Sequence, residues 1–183
     1  MFTFPAKLVA LALVGWSFAT GAANWGQFDF DFDAEKTWTE LQTQLPKYPR
    51  DENLLEFSVS PTNANKFFID EKSISVGADG VVRYTLIVKA PGGAVNISFE
   101  GIRCAKRMVR TYAFGKTDGT WSKARDAQWR DIVFKDYNRQ HHVLYDDFFC
   151  PRNIMISQPQ EAITALKYHG MHPRAATDPS ASF

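Results

Sequence analysis

The fold is decided by the stretch Val81-Val-Arg-Tyr-Thr-Leu-Ile-Val-Lys89-Ala-Pro-Gly-Gly-Ala-Val-Asn-Ile-Ser-Phe-Glu100. Its first nine residues are mostly β-branched or aromatic and predict a long strand that ends at the Pro-Gly-Gly turn. After the turn, Val95, Ile97 and Phe99 alternate with polar residues, which predicts a second strand with these three side chains inward and Glu100 outward. Two strands joined by a short turn without a helix indicate an antiparallel pair.

The same period of two continues on both sides of this pair. Further strands are predicted at Leu55–Val59, Phe67–Ile69, Ser73–Val76 and Lys106–Phe114, with one more at Val143–Phe149. Turns rich in Gly, Asp and Asn connect them, as in an antiparallel meander.

Helical patterns flank the strands. Asp33 is a suitable N-cap for a helix over Ala34–Leu45, which Pro46 would end. Ser157-Gln-Pro-Gln160 has the form of a capping box with proline in the first turn, and Gly170 is a typical residue after a helix end. The apolar stripe of this last helix is supplied by Ala162, Ile163 and Leu166.

The predicted fold class is therefore α+β: an antiparallel β-meander sheet that buries one face under one or two helices and is stapled by one disulfide. We expect this single domain to span residues 24–172. Residues 173–183 are expected to be a disordered tail, since they are rich in proline and small polar residues.

The N-terminus has the order of a secretory signal peptide. Lys7 precedes a short apolar run, and small residues follow at Ala19–Ala23. We therefore expect residues 1–23 to be removed on export. Cys104 and Cys150 are the two cysteines of the chain. In an oxidising compartment an isolated pair favours a structural disulfide, and two cysteines alone make a poor zinc site.

Charge and composition exclude several classes of protein. The chain has 21 Lys and Arg against 20 Asp and Glu, and loss of Lys7 with the leader would balance them. A neutral chain argues against a nucleic-acid partner, which needs a basic face, and no segment of the expected mature chain is long enough to span a bilayer. Residues of this composition form a folded domain.

A specific combination of motifs resembles the cryptic neisserial protein one-like family, a group of exported bacterial proteins of unknown function. The motifs are Phe68-Ile-Asp70 with Ser73-Ile74, then Asp79–Leu86, Ser98–Cys104, Tyr112–Gly115 and the pair Trp121 and Trp129. The resemblance implies a location in the cell envelope and brings no catalytic residues. The family-motif residues that we single out are Asp70, Ser73, Arg83, Glu100, Gly101, Arg103 and Trp129.

A looser pattern is similar to the surface-adhesin protein E family. It comprises Ile69-Asp70 with Ser73-Ile74, Cys104, Trp129 with Ile132, and Cys150. That resemblance implies a sheet with a disulfide-held helix, and binding of host matrix or plasma proteins. The chain departs from the family because the helix predicted here follows the second cysteine instead of preceding it.

Two groups of residues could supply metal ligands. Asp29, Asp31, Asp33 and Glu40 have the spacing of a calcium loop, but Ala34 stands where glycine permits the sharp turn, so we predict an acidic arm instead. His169 and His172 are weak candidates for a soft-metal site near the tail. Adjacent His141 and His142 would point to opposite faces of a strand. We expect all four histidines to be solvated and predict no cofactor.

The functional prediction depends on the charged residues of the strands and on the absence of catalytic motifs. Six charged residues lie on and between adjacent predicted strands: Arg83, Glu100, Arg103, Lys106, Arg107 and Arg110. We expect them to form a solvated face, on which a pair such as Glu100 opposite Arg83 or Arg110 would add little; the alternative is an exposed face that meets an acidic partner. The chain carries no Gly-x-Ser-x-Gly, phosphate-loop or His-Glu-x-x-His motif, so we predict a protein that is not an enzyme. The hypothesis is a periplasmic binding or assembly module whose partner is another envelope protein. The alternatives are a surface adhesin and a metal or small-ligand carrier.

Overall fold

The strands of the described residues form one antiparallel sheet. The structure, a computed structural model, describes residues 38–134 and 139–169, with His169 described by its backbone alone. The strands are β1 (Leu54–Phe57), β2 (Lys66–Asp70), β3 (Ser75–Val76), β4 (Val81–Lys89), β5 (Val95–Arg103), β6 (Met108–Gly115), β7 (Trp121–Lys123) and β8 (Arg130–Asp131). Their order is β1-β2-β4-β5-β6-β7, with β3 beside β4 and β8 beside β6.

The predicted strand pair is the centre of this sheet. β4 and β5 pair over their whole length, from Val81 opposite Arg103 to Lys89 opposite Val95. The turn between them places Gly93 at a φ of +87°, which glycine adopts without a steric penalty. The prediction that Val95 faces inward and Glu100 outward is wrong: Val95 is exposed and Glu100 is buried. Alternation failed as a guide because burial changes along the strand: Val95 lies at its exposed end beside the turn, and Glu100 lies where both faces of the sheet are covered.

The segment before the second cysteine is helical. α1 (Arg139–Val143) continues as a π-helical stretch over Leu144–Phe149, where a strand was predicted. The buried residues there are Leu144, Tyr145, Phe148 and Phe149, which is helical spacing. A helix therefore also precedes Cys150, in addition to the one that follows it.

The last helix, α2 (Pro159–His169), begins with proline at its first position as predicted. Its capping partner differs from the prediction: Glu161, not Gln160, accepts hydrogen bonds from the backbone N–H groups of Ser157 and Gln158. Glu161 lies in the first turn of the helix, and its carboxylate accepts from backbone N–H groups that have no partner within the helix. The apolar stripe is confirmed, with Ala162 and Leu166 fully buried.

These helices cover one face of the sheet, named here the helical face. The ring centroids of Tyr84 on β4 and Phe149 lie 4.8 Å apart, and Phe148 packs edge-on against Phe57. The disulfide joins Cys104, in the turn after β5, to Cys150, and the two Cα atoms are 5.6 Å apart. The predicted disulfide and the α+β class are confirmed.

The opposite face is covered by residues 38–50, named here the strap. The strap has no regular secondary structure, so the helix predicted over Ala34–Leu45 is wrong where it can be seen, from Trp38 onward. Leu41 and Leu45, which would share one face of that helix with Trp38, are exposed. The polar side chains of the strap bond to the sheet instead, as described below.

Several predictions lie outside the described residues: the signal peptide 1–23, the acids Asp29, Asp31 and Asp33, Gly170, His172 and the tail 173–183. None of the helices in residues 38–134 and 139–169 is long and apolar enough to cross a membrane.

Candidate functional site

Four of the family-motif residues lie on the face of the sheet beneath the strap, named here the strap face: Arg83, Gly101, Arg103 and Trp129. Arg83 on β4 lies opposite Gly101 on β5, which lies opposite Arg110 on β6. The register shifts by one residue between Glu100, which lies opposite Thr111, and Phe99, which lies opposite Ala113, so that Tyr112 is an extra residue on β6. Its phenol lies on the strap face near Gly101. Two guanidinium groups and a phenol are thereby presented to the strap.

The carboxylate of Glu40 in the strap is held by these groups. Its Oε1 accepts a hydrogen bond from the Tyr112 hydroxyl at 2.6 Å. Its Oε2 accepts from Arg110 at 2.5 Å and from the Trp129 indole at 3.1 Å. Arg83 lies 3.7 Å away. Three hydrogen-bond donors and a nearby guanidinium thus surround one carboxylate, which is the geometry of a carboxylate-binding site.

Asp79, in the turn before β4, fastens the strap at a second point. Its carboxylate accepts hydrogen bonds from both terminal nitrogens of Arg83, at 2.6 and 3.2 Å, and from the backbone N–H of Leu41 at 2.9 Å. Burial alone would raise the pKa of Asp79, but these hydrogen bonds lower it below the usual value for a carboxyl group. The carboxylate therefore stays ionised and Arg83 stays in place.

An indole from the strap completes the interface. The Trp38 ring lies over the guanidinium of Arg103, 3.8 Å from its central carbon, and meets Trp129 edge-on with centroids 5.9 Å apart. Its N–H donates to the backbone carbonyl of Asp79 at 2.6 Å. The site consequently recognises an indole and, two residues later, a carboxylate.

Two glycines allow this arrangement. A Cβ at Gly101 would lie 2.6 Å from the Tyr112 hydroxyl and 2.9 Å from a Val81 methyl. A Cβ at Gly77 would lie 2.1 Å from an Asp79 carboxylate oxygen and 2.7 Å from Arg83. Any larger residue would displace the donors of the strap face.

The helical face holds a second polar cluster, around Glu100. Its carboxylate accepts hydrogen bonds from the Tyr84 hydroxyl at 2.9 Å and from Ser98 at 2.7 Å, and lies 2.9 Å from Nε2 of His141 on α1. Burial alone would raise the pKa of Glu100, but the imidazole and the two hydroxyl donors bring it below the usual carboxyl value. The cluster fixes α1 to the sheet.

A third polar cluster fixes the start of the π-helical stretch. Arg107, whose φ of 51° is left-handed, donates to both Asp146 oxygens at 2.9 Å and stacks 4.4 Å over the Tyr145 ring. The same guanidinium lies 2.6 Å from Nδ1 of His142. These side chains join the turn after β5 to the helical cover.

The motif residues Asp70 and Ser73 also serve the fold. The Ser73 hydroxyl donates to the backbone carbonyl of Asp70 and accepts from the N–H of Thr85, both at 2.8 Å. The Asp70 carboxylate accepts from the N–H of Lys72, and its burial raises its pKa. The pair shapes the turn between β2 and β3.

The sequence-based view of these charges needs correction. Arg83 and Glu100 are not on a solvated face but are buried, and Glu100 pairs with neither Arg83 nor Arg110, because it faces the helices while they face the strap. His141 and His142 lie on a helix, and the His141 side chain is only 13% exposed. In the described part of the chain no three metal-ligating side chains converge.

Sequence reasoning missed the partners of these residues. The sequence pattern does not predict the partners Asp79, Tyr84, Ser98, His141 and Asp146, and it indicates Glu40 only as a possible calcium ligand. One local signal could have indicated such a pair. Asp79 and Arg83 stand four positions apart, just after Gly77 at the start of a hairpin, and a turn there brings side chains at that spacing together.

Comparison with known proteins agrees with the motifs. A profile of the CNP1-like family matches residues 33–167. The chain belongs to this family. Over 78 residues it is 28% identical to cryptic neisserial protein 1 of Neisseria gonorrhoeae, an alignment that covers 37% of this chain and 38% of that protein. The alignment thus spans less than half the length of this relative. No solved structure matches the present chain.

Proposed function

We propose that this CNP1-like protein is an exported binding or assembly module of the cell envelope that acts through contacts with another envelope protein. The observation that carries the proposal is the strap face, which holds an extended segment of chain through indole, carboxylate and guanidinium contacts. A sheet face with this chemistry is equipped to bind protein segments.

Export has separate support. The sequence begins with the pattern of a signal peptide, and the buried disulfide between Cys104 and Cys150 suits an oxidising compartment such as the periplasm. Loss of the disulfide would leave two thiols in the core of the helical face. The proposal places the mature chain in the periplasm.

A surface adhesin is the second candidate. It is favoured by the helix over Arg139–Phe149, which leads directly into the second cysteine as the protein E resemblance implies. The same protein would then face outward and bind host proteins.

The carrier hypothesis has less to support it. His141 and His142 are each engaged with a carboxylate, so a metal would have to displace Glu100 or Asp146. It can be tested by measuring bound metal before and after replacement of His169 and His172.

Protease accessibility on cells separates the two candidates. Tagged full-length protein is expressed in a Gram-negative host and protease is added before or after the outer membrane is permeabilised. We expect protection until permeabilisation, followed by crosslinks to an envelope protein. Digestion on intact cells would favour the adhesin, and a protein that crosslinks to nothing would contradict a binding role.

The matched control lacks residues 2–23. It should stay in the cytoplasm, be protected in both conditions and contain free thiols. If full-length protein gives the same result, export is refuted.

A further inference from the structure

The strap is attached to the sheet in an unusual way for a covering segment. Between residues 38–50 and the sheet, the hydrogen bonds in the described part of the chain all involve at least one side chain. The strap lies across the face of the sheet and does not extend the sheet at an edge. Its binding therefore depends on a few side chains rather than on a ladder of backbone bonds.

The two halves of this interface come from separate parts of the sequence. Trp38 and Glu40 supply the indole and the carboxylate. The groups that receive them belong to the sheet and the segment leading into β8: Arg83, Arg103, Arg110, Tyr112 and Trp129. The strands of the receiving half pair with one another and not with the strap, so we expect them to stay folded when the strap leaves.

The strap also contributes little to the apolar core. Leu41 is 50% and Leu45 is 42% exposed. The strap is joined to β1 through Pro46–Arg50, a connector with prolines at both 46 and 49, followed by the turn Asp51–Asn53. Pro46 and Tyr48 are bonded to Trp121 and Lys116, but no residue of the strap belongs to the buried core of the helical face. We therefore expect the strap to detach without opening that core.

We propose that the strap face binds the strap of a second copy of this chain, so that two copies exchange their Trp38-x-Glu40 segments. The chemistry that fills the site within one chain is the same chemistry that a second copy offers, and exchange of an identical element is a low-cost route to a dimer. This inference rests on the proposed function for the view that the strap face is a binding surface, and it names the partner.

Two complementary variants of the full mature chain test the exchange. The strap variant, Trp38→Ala with Glu40→Ala, keeps the receiving groups but has no competent strap. The receptor variant, Arg110→Ala with Trp129→Ala, keeps a competent strap but cannot hold it. Each alone should be monomeric by light scattering. Mixed together they should form a complex of twice the mass, in which the receptor variant's strap occupies the strap variant's site.

The control combines all four substitutions in one chain. Tagged strap variant should capture the receptor variant at least tenfold more than the four-substitution chain does. Equal capture, with all three proteins folded by near-UV circular dichroism, would overturn the proposal. If the double variants do not fold, Glu40→Gln and Arg110→Gln replace them in the same design.

A synthetic peptide of residues 38–48 distinguishes exchange between two copies from the more general binding role of the strap face. We expect it to bind the strap variant and not the four-substitution chain in fluorescence anisotropy. Peptide binding without a mixed complex would overturn exchange between copies and leave the binding role standing. Absence of peptide binding would overturn both exchange and the observation behind the binding role, while the result on cells would still decide export.

Discussion

The two faces of this sheet are covered by different means. The helical face is closed by apolar side chains such as Leu144, Phe149 and Leu166, and is tied by the disulfide. The strap face is closed by an irregular segment whose contacts are made by ionised and aromatic groups. The same strands provide both surfaces.

The helical face mainly provides stability, and the strap face mainly provides specific contacts. Apolar burial is non-directional, so the helical face can supply most of the folding free energy with many residues. The strap face depends on a few directional contacts, each lost when one group changes. We therefore expect substitutions on the helical face to act on the whole fold, and those on the strap face to act on attachment of the strap.

The largest effect is expected for Phe149→Ala. Phe149 is fully buried against Tyr84, so the change should lower the free energy of unfolding by about 3–5 kcal/mol. Urea unfolding measures it. Phe114→Ala is the matched control because Phe114 is 51% exposed on the same sheet. Equal losses from the two substitutions would contradict the described core.

Removal of the disulfide should give the next largest loss of stability. Cys104→Ala with Cys150→Ala opens a link between residues 46 positions apart and should cost about 2–4 kcal/mol. Thermal unfolding followed by circular dichroism measures the loss, and a reducing agent should destabilise the wild type but not the variant. Since the disulfide belongs to the helical face, the fluorescence of Trp38 and Trp129 should be little changed before unfolding.

Glu100→Gln should cost about 2–3 kcal/mol at neutral pH, because it leaves buried donors without a carboxylate. The folded-state pKa of Glu100 lies below its unfolded value of 4.5. Its stabilising contribution is therefore complete above pH 4.5 and is lost as pH falls through the folded-state pKa.

The unfolding free energies of wild type and variant should accordingly converge as pH is lowered from 7 through this range. Asp70, whose pKa is raised, gives the opposite dependence in both proteins and cancels in their difference. A difference that stayed constant down to acid unfolding would show that Glu100 is not ionised in the fold.

The smallest of these effects is expected on the strap face. Glu40→Gln should cost only about 1–2 kcal/mol but should expose the strap to proteolysis while the sheet stays folded. Glu52→Gln is the control: its pair with Arg50 is exposed on both sides, so it should change stability by less than about 0.5 kcal/mol. Cooperative loss of the whole sheet in Glu40→Gln would contradict a separable strap.

Local patterns predicted the parts of the fold that depend on local preferences. β4 has the predicted bounds, and α2 begins with proline where its capping signals indicated. Prediction failed at residues 38–45 and 143–149, where local pattern suggested helix and strand, respectively. Residues 38–45 are held in place by side chains that are distant in the sequence. In residues 143–149 the apolar side chains have the spacing of a helix that packs on the sheet.

The amino-acid sequence by itself determined the antiparallel meander, the cysteine pair and the family, because alternation, turn residues and motif spacing are properties of neighbouring residues. Only the tertiary structure decided the roles of the motif charges. Arg83 and Glu100 lie on opposite faces of the sheet, and each is ionised and buried because a partner from another element, Asp79 or His141, meets it there. Burial and pairing depend on what covers each face, and that is settled only when the strap and the helices pack on the strands.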